Sequence, residues 1–374
     1  MIGSFRAAIR AVFTVGNPSN RLFRFALLVL AAMPTLLAAW RLVGWQIPGV
    51  DLLIPLLATQ RWADGGQPYV ASIFSAVLGP DLPFLYPPFV LPLLAPFLRL
   101  PFEWTLAVWV GICAGTAVWT LGRLRVPVVW MPAFLVWPPF LEGIVSGNVG
   151  IVAFAAFTAL FFARAASPAA FDPVDSDPTD SLVAGLPQGL KATLVVAVKV
   201  SQVHAVLYLL LRRPRAALAG LGCLGLIVAA TLPFTGITIH ADWVRQLARA
   251  ADPAWTYAGT GLWLVLPREF TLTVVAGSVI ALWWVPRRSA GTWVGILAVI
   301  GGLSIHTYGL LFLVPAMLRL RREVALVGAM FIGSLNATGL AVGATVIIVG
   351  SVASIALPFL REPQCERRSG AVMA

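Results

Sequence analysis

The chain has 374 residues, of which 59% are hydrophobic and 11% carry a charge, and its mean hydropathy is +0.90. A soluble globular domain normally carries about 25% charged residues, so this composition excludes that class. The net charge of +11 does not indicate nucleic-acid binding, because the arginines cluster in short gaps between apolar tracts. That arrangement is the positive-inside pattern of cytoplasmic segments.

Apolar tracts long enough to cross a bilayer recur along the chain, and the strict alternation of a membrane β-barrel is absent. We therefore predict an all-α polytopic membrane protein with about 11–13 transmembrane helices. Three parts are expected. They are an amphipathic cytoplasmic segment at residues 1–22, a transmembrane module at 23–320, and a transmembrane hairpin with a cytoplasmic tail at 321–374.

The first crossing is predicted near residues 23–45, and a large outer loop at 49–88 follows it. Within this loop, residues 52–64 are suited to an amphipathic helix on the membrane surface. The tract 84–98 is then expected to cross back to an inner turn at 99–101. Residues 102–122 would cross outward again, which conflicts with the arginines at 123 and 125. One tract between 100 and 211 is therefore expected to be short or re-entrant.

The second half of the chain continues this pattern of tracts and gaps. Residues 166–181, rich in Pro, Ser and Asp, are expected to form a flexible linker. The remaining expectations are apolar tracts at 126–142, 149–163 and 182–211, a crossing at 216–234, a second outer loop at 235–261, a return at 271–285, a hairpin at 292–318 with its outer tip at 304–307, and a last hairpin at 324–360 that turns near Asn336.

Ionisable residues near membrane depth are costly and are candidates for function. Lys199 either snorkels to the surface or holds a phosphate group. Asp51 either caps the helix that follows it or acts as a general base, and composition leaves both alternatives open. His306 and His204 are either packed, hydrogen-bonded residues or groups that move protons. Arg245 and Arg249 share a helix face and either bind lipid phosphate or lie on a solvated surface.

Several short motifs, in their order and spacing, carry a resemblance to a known family. They are residues 51–58 (DLLIPLLA), 65–69 (GGQPY), 86–88 (YPP), 146–149 (SGNV), 197–199 (AVK), 209–213 (LLLRR) and a late hairpin at 303–315. Together they resemble glycosyltransferase family 87, whose members are polytopic enzymes of the GT-C class. The resemblance covers about residues 20–320, so that 23–320 would be a GT-C-like catalytic module.

The resemblance implies an enzyme of the bacterial plasma membrane, with both termini cytoplasmic and an extracytoplasmic active site. It implies an inverting transfer, without metal or cofactor, of a hexose or pentose, with mannose preferred. The donor would be a polyprenyl-phosphate sugar, the acceptor a lipid or glycan, and the other partners membrane lipids. By that resemblance Asp51 is the catalytic carboxylate, His306 a catalytic histidine and Lys199 the cation for the donor phosphate. The expected substrate-binding residues are completed by Tyr69, Tyr86, Asn148, His204, Arg245 and Arg249.

Two other functions remain open at this point. A multi-pass transporter or flippase of a lipid-linked sugar would fit the hydropathy, although no internal repeat is evident. An inactive scaffold in an envelope complex would fit as well. The candidate residues cluster at outer loops and at the ends of spans, which favours the enzyme.

Overall fold

A computed structural model describes residues 29, 32–33, 36–37, 39–40, 48–70, 84–162, 182–198, 203–250, 268–302, 307–334 and 337–359. In these ranges every regular element is a helix, and no strand occurs, so the all-α prediction is confirmed. Other predictions lie outside the described residues. They concern segment 1–22, most of the crossing 23–45, the linker 166–181, Lys199, His306 and Asn336.

Fourteen α-helices follow one another along the described ranges. They are α1 (Val50–Ala63), α2 (Val90–Leu94), α3 (Phe102–Arg123), α4 (Met131–Val136), α5 (Pro138–Val145), α6 (Gly150–Phe161), α7 (Leu182–Val198), α8 (His204–Arg212), α9 (Pro214–Ala250), α10 (Arg268–Ala281), α11 (Ala290–Ile300), α12 (Val314–Met317), α13 (Arg322–Gly333) and α14 (Ala337–Phe359). Short 3₁₀ helices join several of them, among which Thr307–Leu313 leads directly into α12.

Two of these helices, α3 and α9, are long and apolar enough to cross a membrane. A third span is present if Val128–Val136 and Pro138–Val145 are counted together, although they are bent by 66°. This bend lies in the region where a short or re-entrant tract was expected. The remaining apolar helices are shorter, so the count of about 11–13 spans stays a prediction.

The tract predicted to cross at 84–98 does not form a span. It contains the five-residue α2 and a 3₁₀ helix at Ala95–Arg99, and both pack against α1. Prolines explain the difference, because Pro92 and Pro96 each remove a backbone donor and interrupt helical hydrogen bonding. The turn at 99–101 therefore lies on the Asp51 side of the bundle. Its predicted cytoplasmic location stays a prediction.

The orientation of α3 removes the conflict that Arg123 created in the predicted topology. Its first residue, Phe102, lies against Gly49, which directly precedes α1. At its other end the Arg123 guanidinium donates to the Phe162 carbonyl at 2.7 Å. Because α3 has 22 residues and is about 33 Å long, Asp51 and Arg123 lie near opposite ends of the bundle.

The predicted second outer loop is helical over much of its length. The chain stays helical through Ala250, and only Gly236, with φ 73° and ψ 156°, interrupts α9. Residues 237–250 therefore form a helix, whereas 251–261 lie outside the described residues, and the outer location of this segment stays a prediction. The break at Gly236 nevertheless lies where the crossing was expected to end.

An aromatic core holds α6 against the 3₁₀ helix Thr307–Leu313. Phe312 packs edge-on against Phe154 and Phe157, with ring centroids 5.5 and 5.1 Å apart. All three side chains are fully buried. This packing fixes the 3₁₀ helix beside the start of α6, where the candidate site lies.

Candidate active site

Asp51 lies at the beginning of α1. The N-cap of this helix is Gly49 in the left-handed conformation, φ 74°, and a Cβ at that position would lie 2.5 Å from the Leu106 side chain. Asp51 is the second helical residue and is not the N-cap, so the capping alternative does not hold. Its half-buried carboxylate lies in the first turn, where the helix dipole favours negative charge.

The start of α1 is docked onto the end of α5. The Gly49 N–H donates to the Val145 carbonyl at 2.8 Å, and the Asp51 N–H donates to the Ser146 carbonyl at 2.9 Å. These are backbone groups that a helix end cannot satisfy within itself. Because donors from one terminus meet acceptors from the other, the Asp51 backbone is fixed to the turn after α5.

That turn presents Asn148 to Asp51. Gly147, with φ 70°, reverses the chain, and its carbonyl accepts a hydrogen bond from the Trp109 indole at 2.7 Å. The Asn148 amide nitrogen then donates to Asp51 Oδ2 at 2.9 Å. Two residues that the sequence placed in one site, although they are far apart in the chain, are thus in direct contact.

Tyr86 of the first outer loop lies beside this pair, and Tyr69 in turn contacts Tyr86. Burial first, and then the Asp51 charge, raise the pKa of the Tyr86 phenol above its usual value. The Tyr69 hydroxyl donates to the Tyr86 carbonyl at 2.8 Å, and burial, followed by the Asp242 charge, raises the pKa of Tyr69 as well. Both phenols therefore stay protonated at neutral pH.

The sequence analysis missed two residues of this cluster, Tyr308 and Glu142. The Tyr308 phenol is hydrogen-bonded to the Asn148 side chain and lies within electrostatic range of Asp51, Tyr86 and Glu142. Both residues have sequence features that could have indicated a site. Glu142 is an acid at the end of an apolar tract, and Tyr308 is two residues from His306, which the sequence did single out.

The first outer loop is also attached to α9 beyond the break at Gly236. The Gln67 amide donates to Asp242, and the Trp243 indole donates to the Leu85 carbonyl at 3.0 Å. Asp242 pairs in addition with Arg245, whose side chain is 67% exposed. We call the contacts of Asp242 and Trp243 with this loop the loop latch.

Comparison with known proteins gives the family of this chain. The profile of glycosyltransferase family 87 matches residues 84–273, half of the chain. The chain belongs to glycosyltransferase family 87. It is also 27% identical over 314 residues to the polyprenol-phosphate-mannose-dependent alpha-(1-2)-phosphatidylinositol mannoside mannosyltransferase of Mycobacterium tuberculosis, covering 73% of this chain and 69% of that protein. No solved structure shows a significant match.

Membership in family 87 confirms the resemblance and makes this protein a membrane glycosyltransferase. The matched segment contains Tyr86 and Asn148, whereas Asp51 precedes it and His306 follows it. The roles of individual residues therefore stay predictions that depend on the geometry around Asp51.

The other predicted site residues of this family 87 enzyme are placed differently. His204 is 1% exposed on α8, and its Nε2 lies 2.9 Å from Ser278 Oγ, so its described contacts are with α10 and the chain after α11. Arg245 and Arg249 are exposed on the last turns of α9. Lys199 and His306 lie outside the described residues, and their roles stay predictions.

An apolar groove of about 540 Å³ lies elsewhere in the enzyme, between α8 and α10. All seven residues that line it are apolar, and they include Leu211 and Trp283. Its edge is near the Arg212 guanidinium, which donates to the Trp283 carbonyl. The groove has no polar side chain in its lining and takes no part in the chemistry considered below.

Proposed function

We propose that this family 87 enzyme transfers mannose from a polyprenyl-phosphate donor to a lipid or glycan acceptor at the outer face of the plasma membrane. The relative from M. tuberculosis is named for a donor of this kind and for a mannolipid acceptor. The observation that carries the proposal is the Asp51 carboxylate, held by the Asn148 amide at 2.9 Å beside the phenols of Tyr86 and Tyr308.

In the proposed mechanism Asp51 is the general base. It takes the proton of an acceptor hydroxyl, whose oxygen attacks the anomeric carbon from the face opposite the donor phosphate. The bond from that carbon to the phosphate oxygen breaks, and the configuration inverts. The phosphate leaves with its charge already stabilised, so one carboxylate suffices, whereas glycosidases that protonate a leaving oxygen need two.

The neighbouring tyrosines are poor alternatives for the base. Tyr69 and Tyr86 have pKa values raised by burial and by nearby carboxylates, so neither phenol loses its proton in the neutral range. Tyr86 is better suited to donate a hydrogen bond to a sugar oxygen, whereas the Tyr69 hydroxyl already donates to the Tyr86 carbonyl. This favours Asp51 as the proton acceptor of the cluster.

The remaining roles follow from charge. We assign the donor phosphate to Lys199, a compact point charge, assisted by Arg245 and Arg249. His306 would adjust the protonation of the site, whereas the buried His204, in contact with Ser278, is given no role in substrate binding. The transfer is proposed to require no metal ion, because the leaving phosphate stays bound to these cations.

The decisive experiment measures transfer of labelled mannose from a polyprenyl-phosphate donor by the purified protein in liposomes. Removal of a general base typically costs about 10²–10⁴-fold, so we expect Asp51→Asn to lose activity by that factor. Asp64→Asn is the matched control. This exposed carboxylate ends the same helix and is bonded to the Gln60 amide, so its variant should keep wild-type activity.

Full activity of Asp51→Asn would remove Asp51 from the mechanism. A protein that moves the lipid-linked sugar across the bilayer without transferring it to any acceptor would be the flippase considered above. A protein that does neither would be the inactive scaffold.

A further inference from the structure

The Asn148 side chain can adopt only one of its two amide orientations. The Gly150 N–H lies 2.6 Å from Asn148 Oδ1 and, being a donor, requires an acceptor there. The carbonyl oxygen of the amide is therefore directed at Gly150. The NH₂ group must then face Asp51, to which it donates at 2.9 Å.

Asn148 is otherwise enclosed by the protein. Its side chain is 5% exposed, and the Tyr308 phenol is hydrogen-bonded to it. Its backbone carbonyl lies 3.9 Å from the Cys113 sulfur of α3. A side chain that is satisfied by the backbone, by Asp51 and by Tyr308 has little capacity left to bind a sugar directly.

We propose that Asn148 is a positioning residue that sets the orientation of the Asp51 carboxylate, rather than the substrate-binding residue that the sequence suggested. The proposal rests on Asp51 being the base. Asn148 acts through one donated hydrogen bond, whose direction is fixed by the Gly150 N–H. The bond ties one carboxylate oxygen to the turn after α5, so that the acceptor hydroxyl always meets the carboxylate in the same orientation.

Two nearly isosteric substitutions separate this role from a packing role. Asn148→Leu removes the donor without adding charge. Asn148→Asp places a second carboxylate beside Asp51, and when two carboxylates share a site one of the pair has a raised pKa. Below that pKa the shared proton restores an O–H hydrogen bond to Asp51, whereas above it the two charges repel.

The groups that face this pair must also be considered. They are the carboxyl of Glu142 from α5, the phenols of Tyr86 and Tyr308, and the thiol of Cys113 from α3. Both variants contain all of these groups unchanged. A difference between the pH profiles of the variants therefore reports the residue introduced at 148.

The experiment measures kcat and KM for mannose transfer by both variants between about pH 5 and about pH 8.5, the range in which a raised carboxyl pKa would be found. A lost hydrogen bond to a charged group predicts a fall in kcat of about 10–100-fold for Asn148→Leu at every pH. The kcat of Asn148→Asp should be lower than that of Asn148→Leu at high pH and higher than it at low pH, so the two pH profiles of kcat cross. KM should change little.

Thermal stability and gel-filtration profiles establish that the variants are folded. Parallel pH curves, or a raised KM with unchanged kcat, would overturn the positioning role. If these results accompany an inactive Asp51→Asn, only this inference fails. If Asp51→Asn is fully active, the proposed base itself is wrong.

Discussion

At the scale of single residues, the aspartates of the first outer loop and of α9 differ in what surrounds them. Asp64 is exposed and is bonded to Gln60, and Asp242 pairs with an exposed arginine. Asp51 is half-buried, accepts from an amide of fixed orientation and lies beside two phenols. Its surroundings, more than its residue type, support our proposal that it is the base.

Tyr308 offers a test of the cluster that is independent of Asp51. Tyr308→Phe keeps the ring but removes the hydroxyl bonded to Asn148, and a lost hydrogen bond of about 1–1.5 kcal/mol predicts a fall in kcat of roughly tenfold. Steady-state transfer kinetics and a melting curve would measure it. Unchanged kcat in a folded variant would exclude Tyr308 from the site.

Part of this cluster was predictable from the sequence. Asp51, Tyr86 and Asn148 were predicted to belong to one site, and these three residues do lie together. Tyr308 and Glu142 were missed because a tyrosine at the start of an apolar stretch and an acid at the end of one resemble interfacial residues. Their proximity depends on how α5 packs against the 3₁₀ helix, which no local pattern encodes.

At the scale of elements, the docking of α1 onto α5 depends on Gly49. An alanine at position 49 would destabilise the fold by about 1–2 kcal/mol because of its left-handed backbone conformation. Its clash with the Leu106 side chain would destabilise the fold by a further ~1–3 kcal/mol. Gly65→Ala is the matched control, because Gly65 has φ 77° but nothing within 4 Å of a Cβ. Thermal unfolding in detergent should therefore show a larger loss for Gly49→Ala.

Transfer activity gives the same pair of variants a second readout. Gly49→Ala should also lower kcat, since a displaced α1 moves Asp51 relative to Asn148, whereas Gly65→Ala should not. Equal melting temperatures for the two variants would show that contact with Leu106 contributes nothing to the docking.

The loop latch predicts unequal effects from the two members of one ion pair. Arg245 is mostly exposed, and surface ion pairs contribute about 0–1 kcal/mol, so Arg245→Ala should barely change the stability of the loop. Asp242→Ala also leaves the half-buried Gln67 amide without its acceptor. We expect the backbone amides of residues 84–86 to exchange hydrogen faster in Asp242→Ala than in the wild type, but not in Arg245→Ala. Equal exchange rates in the two variants would contradict this.

Hydropathy predicted the helix of the first outer loop but not the length of the apolar tract that follows it. The helix expected at 52–64 forms as α1, at Val50–Ala63. The crossing expected at 84–98 fails, because summed hydropathy counts Pro92 and Pro96 as ordinary residues although each interrupts a helix. In α9 the polar residues after Gly236 continue as a helix, which the pattern of a second outer loop did not indicate.

At the scale of the whole molecule, the enzyme has two chemically different ends. One contains Asp51, and the other contains Arg123 and Arg125, the latter exposed. By the positive-inside rule we expect the arginine end to face the cytoplasm. In that case α3 would run from the outer face to the cytoplasm, opposite to the direction predicted from sequence.

This orientation predicts the labelling of single cysteines in a variant that lacks the native ones. With a membrane-impermeant maleimide, Asp64→Cys should react in intact cells from which the outer layers have been removed. Arg125→Cys should react only after permeabilisation. Labelling of both from the same side would invalidate the orientation of α3.

The attachment of Asp51 to the turn after α5 has a consequence for engineering. The base is held through Val145, Ser146 and Asn148, and the loop is anchored again at Tyr86 and Leu85. Residues 71–83 lie between these anchors in sequence. Exchanging them among family members should therefore leave the contact between Asp51 and Asn148 in place, which makes this segment suitable for building chimaeric enzymes.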